Sequence, residues 1–241
     1  MFLAMGEDIR VIIIKLADRL HNMKTLKYLL PERQIEIANE TLEIFAPLAH
    51  RLGMWKLKWE LEDLSFFYLE REKFDQIKNL VAIKKEEREK FMQEFMGKVT
   101  EVLSSVNINA VISGRTKHFF SIYNKLVKKN VEFDDVYDLI AIRVLVDSVK
   151  DCYAVLGIVH SHWKPIPGRF RDFIAIPKSN GYQSLHTTVM GPLGRPVEIQ
   201  IRTKEMHRIA EYGIAAHWRY KEGTSSNNNF DSKYLALSDI V

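Results

Sequence analysis

PVEIQIRTKEMHRIAEYGIAAHWRY, residues 196–220, is the stretch of sequence that decides the fold. Its first eight residues alternate between apolar and polar side chains, and a period of two is typical of a β-strand. The apolar side chains share one face, which must turn towards a core: Val197, Ile199 and Ile201. From Lys204 onwards the spacing becomes helical, with Thr203 as the predicted N-cap. The stretch therefore predicts a strand that leads directly into a helix.

The polar face of this strand has two interpretations. Glu198, Gln200 and Arg202 form a row on a rigid element, and such a row is well placed to carry chemistry. A half-exposed strand that faces water would give the same alternation and is common in sheets. The pattern alone leaves both interpretations open.

The segments upstream of this stretch alternate between strand and helix patterns. Strands are predicted at 107–113, 138–147, 171–177 and 186–190, and helices at 118–129 and 148–163. Either Asp147 or Ser148 is the expected N-cap of the second helix. The first hundred residues show helical spacing throughout. Helices followed by interspersed strands and helices favour a sheet with helices packed on it, in the α+β class.

The composition is that of an ordinary globular protein. The 241 residues are 46% hydrophobic and 27% charged, and the net charge of +4 suits a polyanionic ligand. Cys152 is the only cysteine, which excludes an intrachain disulfide and indicates a reducing, cytoplasmic setting without a zinc site. Its helical apolar context predicts a core position. No segment reaches the roughly 20 apolar residues of a membrane span, so no membrane partner is expected.

The segment GRTKHFFSIYNK, residues 114–125, is the first candidate binding element. Lys117, Ser121 and Lys125 are spaced by four, which places them on one face near the start of the predicted helix. Free N–H groups and the positive end of the helix dipole make such a site suitable for phosphate. An amphipathic helix with its basic side in water is the simpler interpretation of the spacing.

A second candidate element, RFRDFIAIPKSNGYQSLHTT, covers residues 169–188. It combines cations, amides and an aromatic ring: Arg169, Arg171, Lys178, Asn180, Tyr182, Gln183 and His186. The Asn-Gly turn signal predicts that Tyr182 lies on a loop, where it could stack on a purine while Lys178 binds phosphate. An irregular surface loop would have the same composition, and His186 taken alone is more often structural.

Asp138 stands at the entry to a predicted strand. If it lay close to Glu198 in space, the two carboxylates would form a Mg²⁺ site, because Mg²⁺ takes one or two carboxylates with waters and phosphates. Asp138 and Arg143 are an odd number of residues apart, so a regular strand would put them on opposite faces. For an isolated Asp at a strand end, a capping or turn role is favoured.

Taken together, four strings resemble the synthetase domain of the Rel/SpoT family, the bifunctional (p)ppGpp synthetase–hydrolases: GRTKHFFSIYNK, FDDVYDLIAIRV, GRFRDFIAIPKSNGYQSLHTTV and VEIQIRTKEMHRIAEYGIAAHWRYK. They span nearly all of 114–221, and DIRVIIIKLADRLHNMKTL resembles the last part of that family's HD-type hydrolase domain. The resemblance implies an N-terminal helical region followed by a nucleotidyltransferase-like mixed β-sheet flanked by helices. It also implies four segments: a hydrolase remnant (1–75), a connecting helix (76–106), the synthetase domain (107–222) and a flexible tail (223–241).

The function that the resemblance implies is that of a GTP/GDP pyrophosphokinase of the stringent response. Such an enzyme moves the β,γ-diphosphate of ATP to the 3′-hydroxyl of GDP or GTP with Mg²⁺, which gives ppGpp or pppGpp and AMP. The implied ATP-binding residues are Arg115, Lys117, Ser121, Lys125, Arg143 and Arg171. The implied GDP/GTP-binding residues are Lys178, Asn180, Tyr182, His186 and Gln200. Asp138 and Glu198 would be the catalytic residues and Mg²⁺ ligands, with Glu198 also close to the acceptor hydroxyl.

This sequence departs from the family pattern in two respects. It has Arg171 where bifunctional members usually have Lys, a change that keeps the charge but alters its shape. On the hydrolase side, only Asp18 matches a ligand of the family's Mn²⁺ site and Asn22 a substrate contact. The other ligands are expected upstream, so hydrolase activity is not expected. The sequence is expected to be part of a longer protein that continues beyond both of its ends. Ribosome or tRNA control would need C-terminal domains beyond it.

Two alternatives to an active synthetase remain. A basic RNA-binding module would show strongly salt-dependent affinity, although acidic residues inside the basic strings count against it. A catalytically inactive fragment would follow if the synthetase half depended on an intact hydrolase half.

Overall fold

The computed structural model describes residues 9–83, 85–115, 118–129 and 141–213. The chain divides into two compact units, Met1–Tyr68 with Tyr212–Val241, and Leu69–Glu211. The first unit is helical in its described part, and the second contains the β-sheet. The predicted boundaries at 75, 106 and 222 stay predictions.

The helices of the N-terminal unit follow one another with short connections. They are α1 (Ile9–Thr25), a 3₁₀ turn (Leu26–Tyr28), α2 (Pro31–Glu40), a π-helical segment (Thr41–Phe45), α3 (Ala46–Arg51) and α4 (Trp55–Leu69). Pro31 occupies the first turn of α2, where its missing N–H costs nothing. The buried side chains of this unit are mostly apolar and include Leu16, Met23, Leu26, Ala38, Leu61 and Phe66.

The second unit opens with two helices, alternates strands with helices as far as His162, and then has three strands before its last helix. Its helices are α5 (Arg71–Ile83), α6 (Lys85–Ser105), α7 (Phe119–Lys129), α8 (Val149–His162) and α9 (Lys204–Tyr212). Its strands are β1 (Val111–Gly114), β2 (Ala141–Val146), β3 (Arg171–Asp172), β4 (Leu185–Met190) and β5 (Pro196–Thr203). The sheet order is β1-β2-β5-β4-β3. Because β2 and β5 are parallel and the other pairs antiparallel, the sheet is mixed, and the expected α+β class is confirmed.

One face of the sheet packs on α6 and α8 to form the core of this unit. The strands contribute the apolar side chains predicted from the period of two, among them Ile142, Val144, Val197, Ile199 and Ile201. The helices contribute Phe91, Phe95, Val99, Leu103, Cys152, Val155 and Val159. Cys152 is therefore a core residue, as predicted, and burial raises the pKa of its thiol to about 11.

Both predicted helix caps are present. The Ser148 hydroxyl accepts a hydrogen bond from the backbone N–H of Asp151 at 3.1 Å, so Ser148 rather than Asp147 caps α8. The Thr203 hydroxyl accepts from the N–H of Met206 at 3.1 Å. This second cap fixes the start of α9 directly at the end of β5.

Two predicted strands are shorter in the structure. The strand expected at 171–177 ends at Asp172, because the Asp172 carboxylate accepts hydrogen bonds from the N–H groups of Ile174 and Ala175 at 2.9 and 2.8 Å and turns the chain. The strand expected at 107–113 begins only at Val111, after Asn107 with its positive φ of 58°. The predicted segments 138–140 and 214–220 lie outside the described residues.

A helix that crosses a membrane must be both long and apolar. Over the described ranges, none combines the length and the apolar character that a membrane crossing requires.

A core substitution tests the packing of α6 on the sheet. Phe95 is fully buried, and its ring centroid lies 5.1 Å from that of Trp163. We expect Phe95→Ala to lower the free energy of unfolding by about 3–5 kcal/mol in urea denaturation, because a large cavity is left. Leu193→Ala is the control, since Leu193 is 87% exposed and its removal should cost less than about 0.5 kcal/mol. Equal losses for the two variants would contradict this core.

Candidate functional site

The second face of the sheet is polar, and three neighbouring strands bring their side chains together there. Arg143 on β2 lies opposite Gln200 on β5, which lies opposite His186 on β4. Directly opposed residues share a face, so these side chains form one row across the sheet. Glu198 and Arg202 precede and follow Gln200 on the same face, as the period of two predicted.

Glu198 lies at the centre of this face, and side chains of the described residues hold it there. Its carboxylate oxygen is 3.7 Å from Arg115 Nη1 and 3.7 Å from His186 Nδ1, and it accepts a hydrogen bond from Gln200 Nε2 at 3.0 Å. Arg115 follows β1, and its backbone N–H donates to the carbonyl of Ala141. The carboxylate is only 17% exposed, so a cation, an amide and an imidazole fix its orientation.

His186 links Glu198 to the loop that carries Tyr182. Its Nε2 is hydrogen-bonded to the Tyr182 hydroxyl at 2.7 Å, while Nδ1 faces Glu198. Burial lowers the pKa of His186 to about 4; Glu198 opposes this shift, whereas Arg115, Lys178 and Arg202 add to it. The imidazole is therefore neutral near pH 7 and positions Tyr182 without adding charge to the site.

Tyr182 lies on a loop, as predicted, and its ring is turned inward. Gly181 has a φ of 75°, and the turn brings Lys178 N and Tyr182 O within 3.2 Å of each other. The Asn180 side chain accepts a hydrogen bond from the N–H of Tyr182. Lys178 Nζ lies 5.2 Å from the centroid of the Tyr182 ring, and Arg202 Cζ lies 5.9 Å from it. The ring is 9% exposed and packs among cations.

A buried cluster beside this loop joins Arg202 and Arg143 to His207 and Glu211, and sequence reasoning did not assign the last two. Arg202 is only 2% exposed; its Nη2 lies 2.7 Å from His207 Nδ1 and 3.5 Å from Glu211 Oε1. The same Glu211 oxygen lies 3.4 Å from Arg143 Nη2. Burial lowers the pKa of Arg202 to about 10 and that of His207 to about 4, so His207 is neutral and accepts from Arg202. The spacing of four between His207 and Glu211 was the available signal.

The remaining predicted residues lie elsewhere or outside the described ranges. Arg171 is opposite His186 on β3, but its guanidinium donates to the backbone carbonyls of Gly168 and Phe170. Ser121 and Lys125 are half-buried on α7. Lys117 and Asp138 lie outside the described residues. In the N-terminal unit, Asn22 Nδ2 donates to Asp18 Oδ2 at 3.4 Å.

A metal site needs several ligands that converge on one point. The described part of the chain contains no group of three or more His, Cys, Asp or Glu side chains that could hold an ion. Glu198 is a single carboxylate with hard oxygen donors, and this donor set fits an ion such as Mg²⁺ that takes its other ligands from water and phosphates. The predicted second carboxylate, Asp138, lies outside the described residues.

A carboxylate surrounded by cations, an amide and an aromatic ring on one face of a mixed sheet makes this face the candidate functional site. Residues 114–225 match the model of the region found in RelA / SpoT proteins, and residues 1–55 match an HD domain. The segment 114–225 therefore belongs to the RelA/SpoT family, as the sequence resemblance predicted.

Known proteins similar to this chain include two curated relatives. The chain is 56% identical over 222 residues to a GTP pyrophosphokinase of Streptomyces coelicolor, covering 92% of this chain and 26% of the relative. It is 53% identical over 227 residues to the bifunctional (p)ppGpp synthase/hydrolase RelA of Mycobacterium tuberculosis, covering 94% and 31%. The chain thus spans less than a third of the length of these relatives.

Among solved structures, the chain is similar to the small alarmone synthetase 1 from Bacillus subtilis, determined with its product pppGpp. The identity is 25% and the TM-score 0.46, and the match covers 68% of this chain and 88% of the other.

The two histidines of the site predict a pH dependence of stability. In the folded protein the pKa values of His186 and His207 are about 4, below the ordinary 6.5. Between pH 6.5 and about 4 the unfolded chain therefore binds more protons, and the free energy of unfolding should fall as the pH falls. Urea denaturation across this range measures the slope, which His207→Gln should make shallower.

Imidazole NMR signals give a direct check on the same prediction. The His186 and His207 rings should stay neutral to about pH 4 in the folded protein and titrate near 6.5 in urea. Titration of both near 6.5 in the folded protein would contradict the buried arrangement.

Proposed function

We propose that this chain carries a GTP/GDP pyrophosphokinase, which transfers the β,γ-diphosphate of ATP to the 3′-hydroxyl of GDP or GTP. The products are ppGpp or pppGpp, the signals of the stringent response, and AMP. The observation that carries the proposal is the Glu198 carboxylate, held on the polar face by Arg115, His186 and Gln200. The names of the two curated relatives support the same reaction.

On the ATP side, the proposal assigns Arg115 and Arg143 to the adenine. Both guanidinium groups lie largely buried on the polar face, where planar cations can stack on a base. The triphosphate would be bound by Lys117, Ser121, Lys125 and Arg171. Transfer of a phosphoryl-type group depends mainly on positioning and charge neutralisation, and a set of cations is suited to both.

On the guanine side, the proposal assigns the loop and β4 to the acceptor nucleotide. Tyr182 would stack on the base, with Lys178, Asn180, His186 and Gln200 around the nucleotide. His186 and Lys178 already contact Tyr182, so the ring is held in a restricted position before the nucleotide arrives. Because the ring is nearly buried, stacking requires the base to enter beside it or the ring to turn outward.

Glu198 would act on the acceptor hydroxyl. The carboxylate accepts the proton of the 3′-hydroxyl, the oxygen forms a bond to the β-phosphorus, and the bond from that phosphorus to the α,β-bridging oxygen breaks. AMP leaves with the electron pair of the broken bond. A Mg²⁺ ion bound by Glu198 and Asp138 would supply neutralisation of the phosphate charge.

We place the protein in the cytoplasm, where both nucleotides are available and a lone buried Cys152 is stable.

A basic RNA-binding module is disfavoured, because Glu198 and Glu211 lie among the arginines and would repel phosphates that no metal neutralises.

Glu198→Gln tests the reaction. With γ-labelled ATP, GDP or GTP, and Mg²⁺, we expect the substitution to reduce labelled product on thin-layer chromatography by about 10²–10⁴-fold, because a general base is lost. Glu205→Gln is the matched control, since Glu205 is exposed on α9 and pairs only locally with Arg208 among the described contacts. EDTA should abolish product formation.

Two outcomes of this assay would contradict the proposal. Product formation by Glu198→Gln at the parental rate would show that Glu198 does not accept the proton of the 3′-hydroxyl. A folded parent that binds both nucleotides but makes no product would favour the inactive-fragment alternative.

A second proposal concerns hydrolysis. The printed sequence contains no His-Asp pair, and Asp18 is the only match to a hydrolase metal ligand, whereas metal sites need several converging ligands. We expect a polypeptide of these 241 residues to release no pyrophosphate from ppGpp with Mn²⁺. Release that depends on Mn²⁺ and is lost in Asp18→Asn would overturn this expectation.

A further inference from the structure

Glu211 joins two arginines that come from neighbouring strands. Its Oε1 atom lies 3.4 Å from Nη2 of Arg143 on β2 and 3.5 Å from Nη2 of Arg202 on β5. All three side chains are largely buried, with exposed fractions of 19%, 15% and 2% for Glu211, Arg143 and Arg202. A single carboxylate oxygen therefore lies between two guanidinium groups in a place with little water.

This arrangement balances charges that would otherwise repel one another. Burial lowers the pKa of Arg143 and of Arg202, and the nearby Arg115 lowers it further, while Glu211 raises it. Buried like charges without a compensating partner would separate or draw in water, because their repulsion is strong at low dielectric. Glu211 is the acidic group that lets Arg143 and Arg202 remain side by side.

Local structure gives Glu211 a fixed position. The Thr203 cap anchors the first turn of α9 to the end of β5, and Glu211 lies in the last turn of the same helix. One turn earlier, His207 Nδ1 is 3.6 Å from Glu211 Oε1 and 2.7 Å from Arg202 Nη2. The carboxylate is thus held by a helix that is itself tied to the strand with the central site residues.

We propose that Glu211 is a positioning residue for ATP binding, which acts by holding the Arg143 guanidinium in the orientation that the base requires. This role rests on the proposed function, in which Arg143 contacts the adenine. Arg202 shares the same carboxylate oxygen and limits the movement of Glu211 from the other side.

A double-mutant cycle tests this role through nucleotide affinity. Isothermal titration calorimetry with a non-hydrolysable ATP analogue and Mg²⁺ should show binding about tenfold weaker for Glu211→Gln, because Arg143 loses its anchor. In an Arg143→Ala background the same change should have no further effect on affinity. Glu205→Gln, an identical change at an exposed position of α9, should bind like the parent. Should Glu211→Gln not fold, Glu211→Asp replaces it, with the same predicted dependence on Arg143.

The outcomes separate this role from the proposed function. Parental affinity in a folded Glu211→Gln variant would overturn the positioning role and leave the proposed function intact. An equal loss of affinity in the presence and absence of Arg143 would overturn it too, since Glu211 would then act through the fold. A parent that binds no ATP analogue would overturn the proposed function and this role together.

Discussion

Strand β5 is hydrogen-bonded along both edges, to β2 on one side and β4 on the other, and both of its faces are buried. Its register therefore has to satisfy two environments at once, an apolar core and a charged face. A slip of one residue would send Glu198 and Arg202 into the core and Val197 and Ile199 onto the charged face. The rest of the unit depends on this constraint, because the row from Arg143 to His186 exists only while β5 keeps its place.

The buried charges of this face are stable only because they are paired with one another. Burying a charge is costly unless it is paired, and here each buried cation has an acidic or neutral acceptor close by. Glu198 pairs with Arg115 and Glu211 pairs with Arg143. The neutral His207 accepts a hydrogen bond from Arg202. The histidines take part as uncharged groups because burial, helped by the surrounding arginines, keeps their pKa values low. Binding chemistry and folding thus place the same requirement on these side chains.

Local patterns predicted much of this structure. The alternation in PVEIQIRT gave the faces of β5, Ser148 and Thr203 were found as caps, and the Asn-Gly signal placed Tyr182 on a loop. The predictions that failed or were missed had two causes. Either a side chain competed for backbone hydrogen bonds, or the contact joined residues far apart in the sequence. Asp172 ended a predicted strand because its side chain competed for backbone N–H groups, which no periodicity reveals. The pairing of Glu211 with Arg143 needed knowledge of how α9 lies against β2, which one-dimensional spacing does not contain.

The parallel pairing of β2 with β5 also determines when the site can exist during synthesis. Ala141 pairs with Glu198, and every residue between them must leave the ribosome before this ladder can close. Until then β2 is paired on one edge only, with β1, and its other edge is open to wrong partners. Non-local pairing of this kind slows folding. The charged face is therefore completed last, and a nascent chain that ends before β5 has two separate strand pairs, with no strand to join Arg143 to His186.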